Sequence, residues 1–219
     1  MDTTHQQFFN ERNVNIIEEI RNRLRMPLPG VEAQIRLAPL YRLDELRQKP
    51  PEEAIPSGVL LLLYPHQSQL YSAAILRAEY NGVHSGQVSL PGGKREPSDR
   101  DIIETALRES FEETGIDPES VDVLGKLTPL YINRSNYIIF PVVGYTGKRP
   151  EFRPDTTEVQ EIIEFRIADL LAPDKVIHRS LSFPNGFTFR VPGFELGPHF
   201  MWGATAMIVS EFLDVMNSF

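Results

Sequence analysis

The chain reads as an α/β fold, and three stretches predict it. Gly58 to Tyr64 is an unbroken apolar run, as expected of a strand covered on both faces. Ser98 to Ile116 reads as a helix with both ends marked, Ser98 as N-cap with Asp101 answering it and Gly115 just past the end. Trp202 to Val215 closes the chain as another helix, with Ala204, Met207, Ile208, Phe212 and Val215 on one side. Strands flanking two or three helices make an α/β sandwich.

The totals bound the class. A chain of 219 residues is one large domain, or one domain with an appendage. At 41% hydrophobic and 24% charged it has the composition of a soluble globular protein. A net charge of −8 argues against a general nucleic-acid-binding surface, and the absence of cysteine excludes disulfides, thiolate metal sites and a cysteine nucleophile. No secretory signal or membrane-length apolar stretch is visible, so the expected location is cytoplasmic, with no membrane partner.

Residues 4 to 25 have helical spacing, with Phe8, Val14, Ile17, Ile20 and Leu24 apolar, and Pro27 and Pro29-Gly30 stop the helix. A polar, proline-bearing connection follows to Pro56, with a short helical turn near Leu43 to Arg47. Residues 1–50 are thus expected as an N-terminal helical appendage and connection, serving packing or a homodimer contact. A second strand runs from Gln69 to Arg77 after the His66-Gln67-Ser68 turn, and Tyr80-Asn81-Gly82 marks the next turn. Val121–Tyr131 and Tyr137–Tyr145 read as strands around the loop Asn133-Arg134-Ser135-Asn136. Another element opens at Thr157-Glu158-Val159, and Ile167–Leu171 is a short helix ended by Pro173. Val176–Phe183 and Phe187–Val191 form a hairpin across Pro184-Asn185-Gly186. The single tryptophan, Trp202, reads as a core or contact residue.

The chemistry concentrates on the helix after Leu90-Pro91-Gly92-Gly93-Lys94. At 100° per residue, Ile103, Ala106, Leu107, Ser110 and Thr114 form the core-facing side, and Glu109, Glu112 and Glu113 are expected together opposite it, beside Arg108. Like charges at this spacing repel by about 0.2–0.5 kcal/mol per pair. A divalent cation removes that repulsion, and oxygen ligands suit Mg²⁺, Mn²⁺ or Ca²⁺ rather than Zn²⁺. A solvated acidic face would contain the same glutamates; the preceding glycine pair, able to approach a phosphate or offer a carbonyl to a metal, favours the site.

These residues resemble the Nudix hydrolase family. Gly93, Arg108, Glu109, Glu112, Glu113, Gly115 and Ile116 occur in the order of its box, with one extra residue between Gly93 and Arg108 and with Ser110 in an aliphatic slot. Asp99 stands near the place of the first glutamate, and this longer spacing resembles the coenzyme A pyrophosphatase branch. The likeness runs from about Gly58 to Met207, through HSGQVSLPGG, VLGKLTP, FPVVGY, TEVQEI and MWGATAMIV. The branch's second signature is matched at Arg77 and Gly86 but departs at Ala78, Gly82 and Leu90.

The resemblance implies a Nudix-type α/β/α sandwich with a mixed sheet over residues 51–219, and Mg²⁺- or Mn²⁺-dependent cleavage of a nucleotide-type small-molecule diphosphate. Coenzyme A or acyl-coenzyme A is the implied substrate, with ADP-ribose or another nucleoside diphosphate derivative as the alternative. Gly93, Glu109, Glu112 and Glu113 are the implied metal ligands, joined by Glu158 from the late loop, where Glu161 competes. Arg108 and the three glutamates form the catalytic set, and Arg77, Lys94 and Arg134 are candidates for substrate contact, each open to the plainer reading of a surface arginine or lysine. His84 and Gln87 share the motif, His84 without a proton-carrying role. A nucleotide sensor without catalysis is disfavoured by the complete glutamate set, and a structural calcium site by the lack of an EF-hand loop.

Overall fold

A computed structural model describes residues 15–46, 48–78, 86–182 and 186–217. The expected turn at Tyr80-Asn81-Gly82, His84, and the first apolar positions of the N-terminal helix lie outside them. The described helices are α1 (15–23), α2 (Val31–Ile35), α3 (Leu43–Leu46), α4 (Ile102–Thr114) and α5 (Gly203–Met216). The strands are β1 (Ile55–His66), β2 (Gln69–Arg77), β3 (Val88–Ser89), β4 (Gly92–Lys94), β5 (Asp122–Lys126), β6 (Leu130–Ile132), β7 (Tyr137–Tyr145), β8 (Val159–Arg166), β9 (Val176–Ser182), β10 (Thr188–Leu196) and β11 (His199–Trp202).

The main sheet has the spine β3-β2-β1-β7-β5, with β4 also on β1, β6 on β7 and β8 on β2. It is mixed: β1 and β7 run parallel, and the other pairs are antiparallel. The apolar run in β1 serves two cores at once. Val59, Leu61 and Leu63 enter the cluster that holds Met207 and Phe212 of α5, whereas Leu60, Leu62 and Tyr64 join Ala106 of α4 on the other face. Helices therefore cover both faces, the sandwich that the sequence implies. Leu60 to Leu63 are each essentially inaccessible, so each contributes about 1.5–3 kcal/mol by burial.

The N-terminal stretch is part of this core. Ile17, Ile20, Leu24, Leu37 and Ala38 pack in the same cluster as Leu61 and Phe212. Glu211 of α5, fully buried, accepts hydrogen bonds from Gly30 N (3.1 Å), Gln34 Nε2 (2.9 Å) and Thr128 Oγ1 (2.6 Å). Three expectations need correction. The N-cap of α4 is Asp101, not Ser98: its carboxylate accepts from Ile103 N and Glu104 N, while Gly115 ends the helix in the left-handed region at φ 74°. The stretch Val121–Tyr131 is two strands, because Leu127 to Pro129 leaves the ladder between β5 and β6. The hairpin β9–β10 is longer than expected and takes up β11, making a separate antiparallel sheet in the order β11-β10-β9.

Candidate active site

The site forms where β4 lies against α4. Gly92 has φ 150°, and a Cβ there would meet Gly58 O at 2.3 Å, so only glycine fits this turn. Its freed N–H donates to Glu113 Oε2 at 2.8 Å. Next to it Gly93 makes room for the Glu109 carboxylate, whose Oε2 would lie 2.2 Å from any Cβ at position 93. Ser57 Oγ donates to Gly93 O at 2.7 Å and steadies the carbonyl.

The three glutamates do not share one solvent-facing side. Their side chains are 3% (Glu113), 18% (Glu109) and 54% (Glu112) exposed. Helix geometry accounts for the gradient: Glu113 follows Ala106 by seven residues, which returns it to within about 20° of that buried position. Glu109 is about 60° away and Glu112 about 120° away. Glu113 thus belongs to the buried stripe, and β4 meets it there with a backbone donor.

Arg108 organises the outer side. It forms a two-pronged pair with buried Asp99, Nε to Oδ1 at 2.9 Å and Nη2 to Oδ2 at 3.1 Å, and its Nη1 lies 2.9 Å from Glu109 Oε1 and 3.0 Å from Glu112 Oε2. Asp99 also accepts from Glu96 N and Thr105 Oγ1. The Arg108 hydrogen bonds hold the Asp99 carboxyl well below the usual carboxylate range.

Burial pushes the Glu113 carboxyl up to about 7, against the pull of Gly92 N–H and Arg77; the charges of Glu109 and Glu158 push the same way as burial. Burial also raises Glu109, opposed by Arg108 and reinforced by Glu112 and Glu158. Arg77 Nη1 reaches Glu113 Oε1 at 3.1 Å. Glu158 is exposed on the loop before β8, within electrostatic reach of both glutamates, whereas Glu161 Oε2 lies 3.1 Å from His199 Nε2.

A cavity of about 660 Å³ lies on the other side of Arg77 and Gly92, the two residues that hydrogen-bond Glu113. Its walls include Arg77, Gly92, Gly93, Lys94 and Arg134, which brings the three candidate substrate contacts to one space. Trp202, expected in a core or a contact, is half-buried in the same wall. Tyr41 and Arg42 also line it, together with Phe189, whose ring is 4.9 Å from that of Tyr41. Sequence spacing gave no sign of Ser57, Tyr41, Arg42 or Phe189, since each reaches the site from a distant segment.

Among the described residues, no group of three acidic or histidine side chains is closed around one point. The carboxylates are instead held by Arg77, Arg108 and Gly92 N–H. The donor set still fits a hard divalent cation. It consists of oxygen alone, and the carboxyls of Glu113 and Glu109 are raised by burial and by neighbouring carboxylates, the state that a cation relieves.

A mixed sheet between helix layers, with a glycine turn set against Glu109 and Glu113 beside a cavity walled in part by Arg42, Arg77 and Arg134, makes this an α/β sandwich. The chain belongs to the Nudix family: the NUDIX domain profile matches residues 55–184. It is 38% identical over 137 residues to the mouse (Mus musculus) protein named Mitochondrial coenzyme A diphosphatase NUDT8, a match covering 62% of this chain and 65% of that one. To the human (Homo sapiens) protein of the same name it is 32% identical over 200 residues, covering 89% and 77%. To the Uncharacterized Nudix hydrolase NudL of Pectobacterium atrosepticum it is 38% identical over 128 residues, covering 58% and 66%. The chain thus spans slightly under two thirds of the mouse and bacterial relatives. Among the described residues, no helix is long and apolar enough to cross a membrane.

Proposed function

We propose that this chain is a metal-dependent hydrolase that cleaves the diphosphate of coenzyme A or acyl-coenzyme A to 3′,5′-ADP and 4′-phosphopantetheine or its acyl form. The observation that carries the reading is the buried Glu113 carboxyl, held by Gly92 N–H and by Arg77, which both line the cavity, with Glu109 seated against Gly93 beside it. The names of the mouse and human relatives support the substrate.

In this reading Glu109, Glu113 and Gly93 O hold Mg²⁺ or Mn²⁺, with Glu112 and Glu158 completing the set. When bound, the cation neutralises phosphate oxygens and makes water a better nucleophile at neutral pH. Arg108, fixed by Asp99, orients Glu109 and Glu112 by charge-assisted hydrogen bonds. Arg77 and Lys94 bind the diphosphate from the cavity wall. Glu112, the most exposed carboxylate, is either a further ligand or the group that takes a proton from water.

The test is a panel of coenzyme A, dephospho-coenzyme A, ADP-ribose and a dinucleotide, each with Mg²⁺ or Mn²⁺, with products identified. Release of 3′,5′-ADP as the fastest product supports the reading. A preference for ADP-ribose of tenfold or more would replace the substrate and leave the diphosphatase, and no turnover of any member would remove both. The proposed compartment is the cytosol; mitochondrial fractionation of the native protein, the location in the two mammalian relatives' names, would replace it.

A further inference from the structure

The cavity carries a second basic group, from elements outside those that hold the glutamates. Arg42 lies on the connection before β1, ahead of the family match, and Arg134 lies in the turn between β6 and β7; both line the cavity. Arg42 is 8% exposed. Its Nη2 donates to Tyr131 O at 2.9 Å and its Nη1 to the Met207 sulfur at 3.8 Å, so two of five N–H groups are engaged in hydrogen bonds. Glu45, also in the wall, is 3.8 Å from Arg42 Nε, an ion pair beyond hydrogen-bond distance. Among the described residues Arg134 is exposed and appears in no ion pair. A guanidinium this buried, whose one counter-charge lies beyond hydrogen-bond distance, keeps N–H donors for an anion that enters the cavity.

The strand register separates this group from the first. Lys94 is opposite Ser57, Ser57 opposite Ile139, and Ile139 opposite Leu130, beside Tyr131 to which Arg42 is tied. Three strand spacings put that anchor about 14 Å from the Lys94 backbone along the sheet. Lys94 and Arg134 both line the cavity, Lys94 from β4 and Arg134 from the turn before β7.

We propose that Arg42 and Arg134 form an anion subsite for a phosphate monoester carried by the substrate in addition to its diphosphate. This rests on the hydrolase reading only for where the diphosphate lies. It assigns substrate selection to the segment ahead of the family match, since Arg42 and Tyr41 come from there. Two arginines on one cavity wall, set apart across the sheet from Lys94, suit a phosphate monoester such as an extra phosphate on the ribose of a nucleotide.

Adenosine 3′,5′-bisphosphate and AMP serve as probes, with dissociation constants measured by calorimetry on the full chain. The wild-type protein should bind the bisphosphate about tenfold tighter or more, equivalent to ~1.4 kcal/mol. Arg134→Ala and Arg42→Gln should each narrow that ratio at least threefold, chiefly by weakening the bisphosphate. A wild-type ratio near one overturns the subsite, as does a ratio unchanged in Arg134→Ala. Arg134 is exposed, so this variant decides the matter if position 42 tolerates no substitution. Diphosphate hydrolysis by the same wild-type preparation separates the two readings: turnover without bisphosphate preference removes the subsite alone, and preference without turnover removes the hydrolase alone.

Discussion

Gly93→Ala should separate folding from catalysis. The new Cβ would sit 2.2 Å from Glu109 Oε2 and 2.4 Å from its Cδ, where real contacts stay beyond 3.0 Å. The carboxylate must therefore retreat by about 0.8 Å or more. Nothing else has to move much, because Gly93 is outside the left-handed region and the displaced atoms end a flexible side chain. The Gly→Ala change itself favours folding by about 0.4–1 kcal/mol through the unfolded chain, so net stability should stay within about 1 kcal/mol of wild type. Misplacement near 1 Å of a group that positions the reaction costs about 100-fold. That is ~2.7 kcal/mol of barrier, read as kcat/KM for diphosphate hydrolysis at saturating Mg²⁺. Thermal unfolding of the same sample controls for folding. A variant with wild-type Tm and activity within threefold of wild type would show that Glu109 does not need this seat.

Three further expectations follow from the same contacts. Glu113→Gln should lower turnover at least ~100-fold without lowering the stability of chelator-treated protein at pH 8, a combination readable from kinetics and urea titration. In that chelated wild-type protein Glu113 holds its proton to about 7 when folded, against 4.5 as its ordinary value. The contribution is therefore nearly complete below about pH 4.5 and lost as pH rises through about 7, a fall of about 2.5 kcal/mol between pH 5 and 8; stability that rises over this interval would contradict it. Asp99→Ala removes both prongs of the Arg108 pair and should cost about 3 kcal/mol by urea titration, with loss of activity as Glu109 and Glu112 lose their support.

Much of the sandwich could be read from local pattern. The bounds of β2 and β7 and the short α3 follow from apolar runs between turn residues, and the Gly58–Tyr64 run signalled a strand covered twice. What local pattern hides is what lies across from a side chain. Three glutamates in one box look alike, yet β4 buries Glu113 and leaves Glu112 in water. The β5–β6 break falls where Thr128 turns its N–H and hydroxyl to Glu211 of α5, a partner that local pattern does not show. The cavity wall is assembled from positions 41, 42, 134, 189 and 202, whose proximity is a product of the whole topology.

Glu211 ties the beginning of the chain to its end. Its carboxyl group is met by donors at positions 30, 34 and 128, and the nearest in sequence is 83 residues away. A protein shortened to start where the family match begins would leave that carboxyl with Thr128 alone, two of its three partner residues gone. Such closure across the full length slows folding, because long-range contacts must assemble before any of them is rewarded. The minimal cooperative unit is thus wider than the recognisable domain, and trimming its leading helix should yield aggregation rather than a smaller working enzyme.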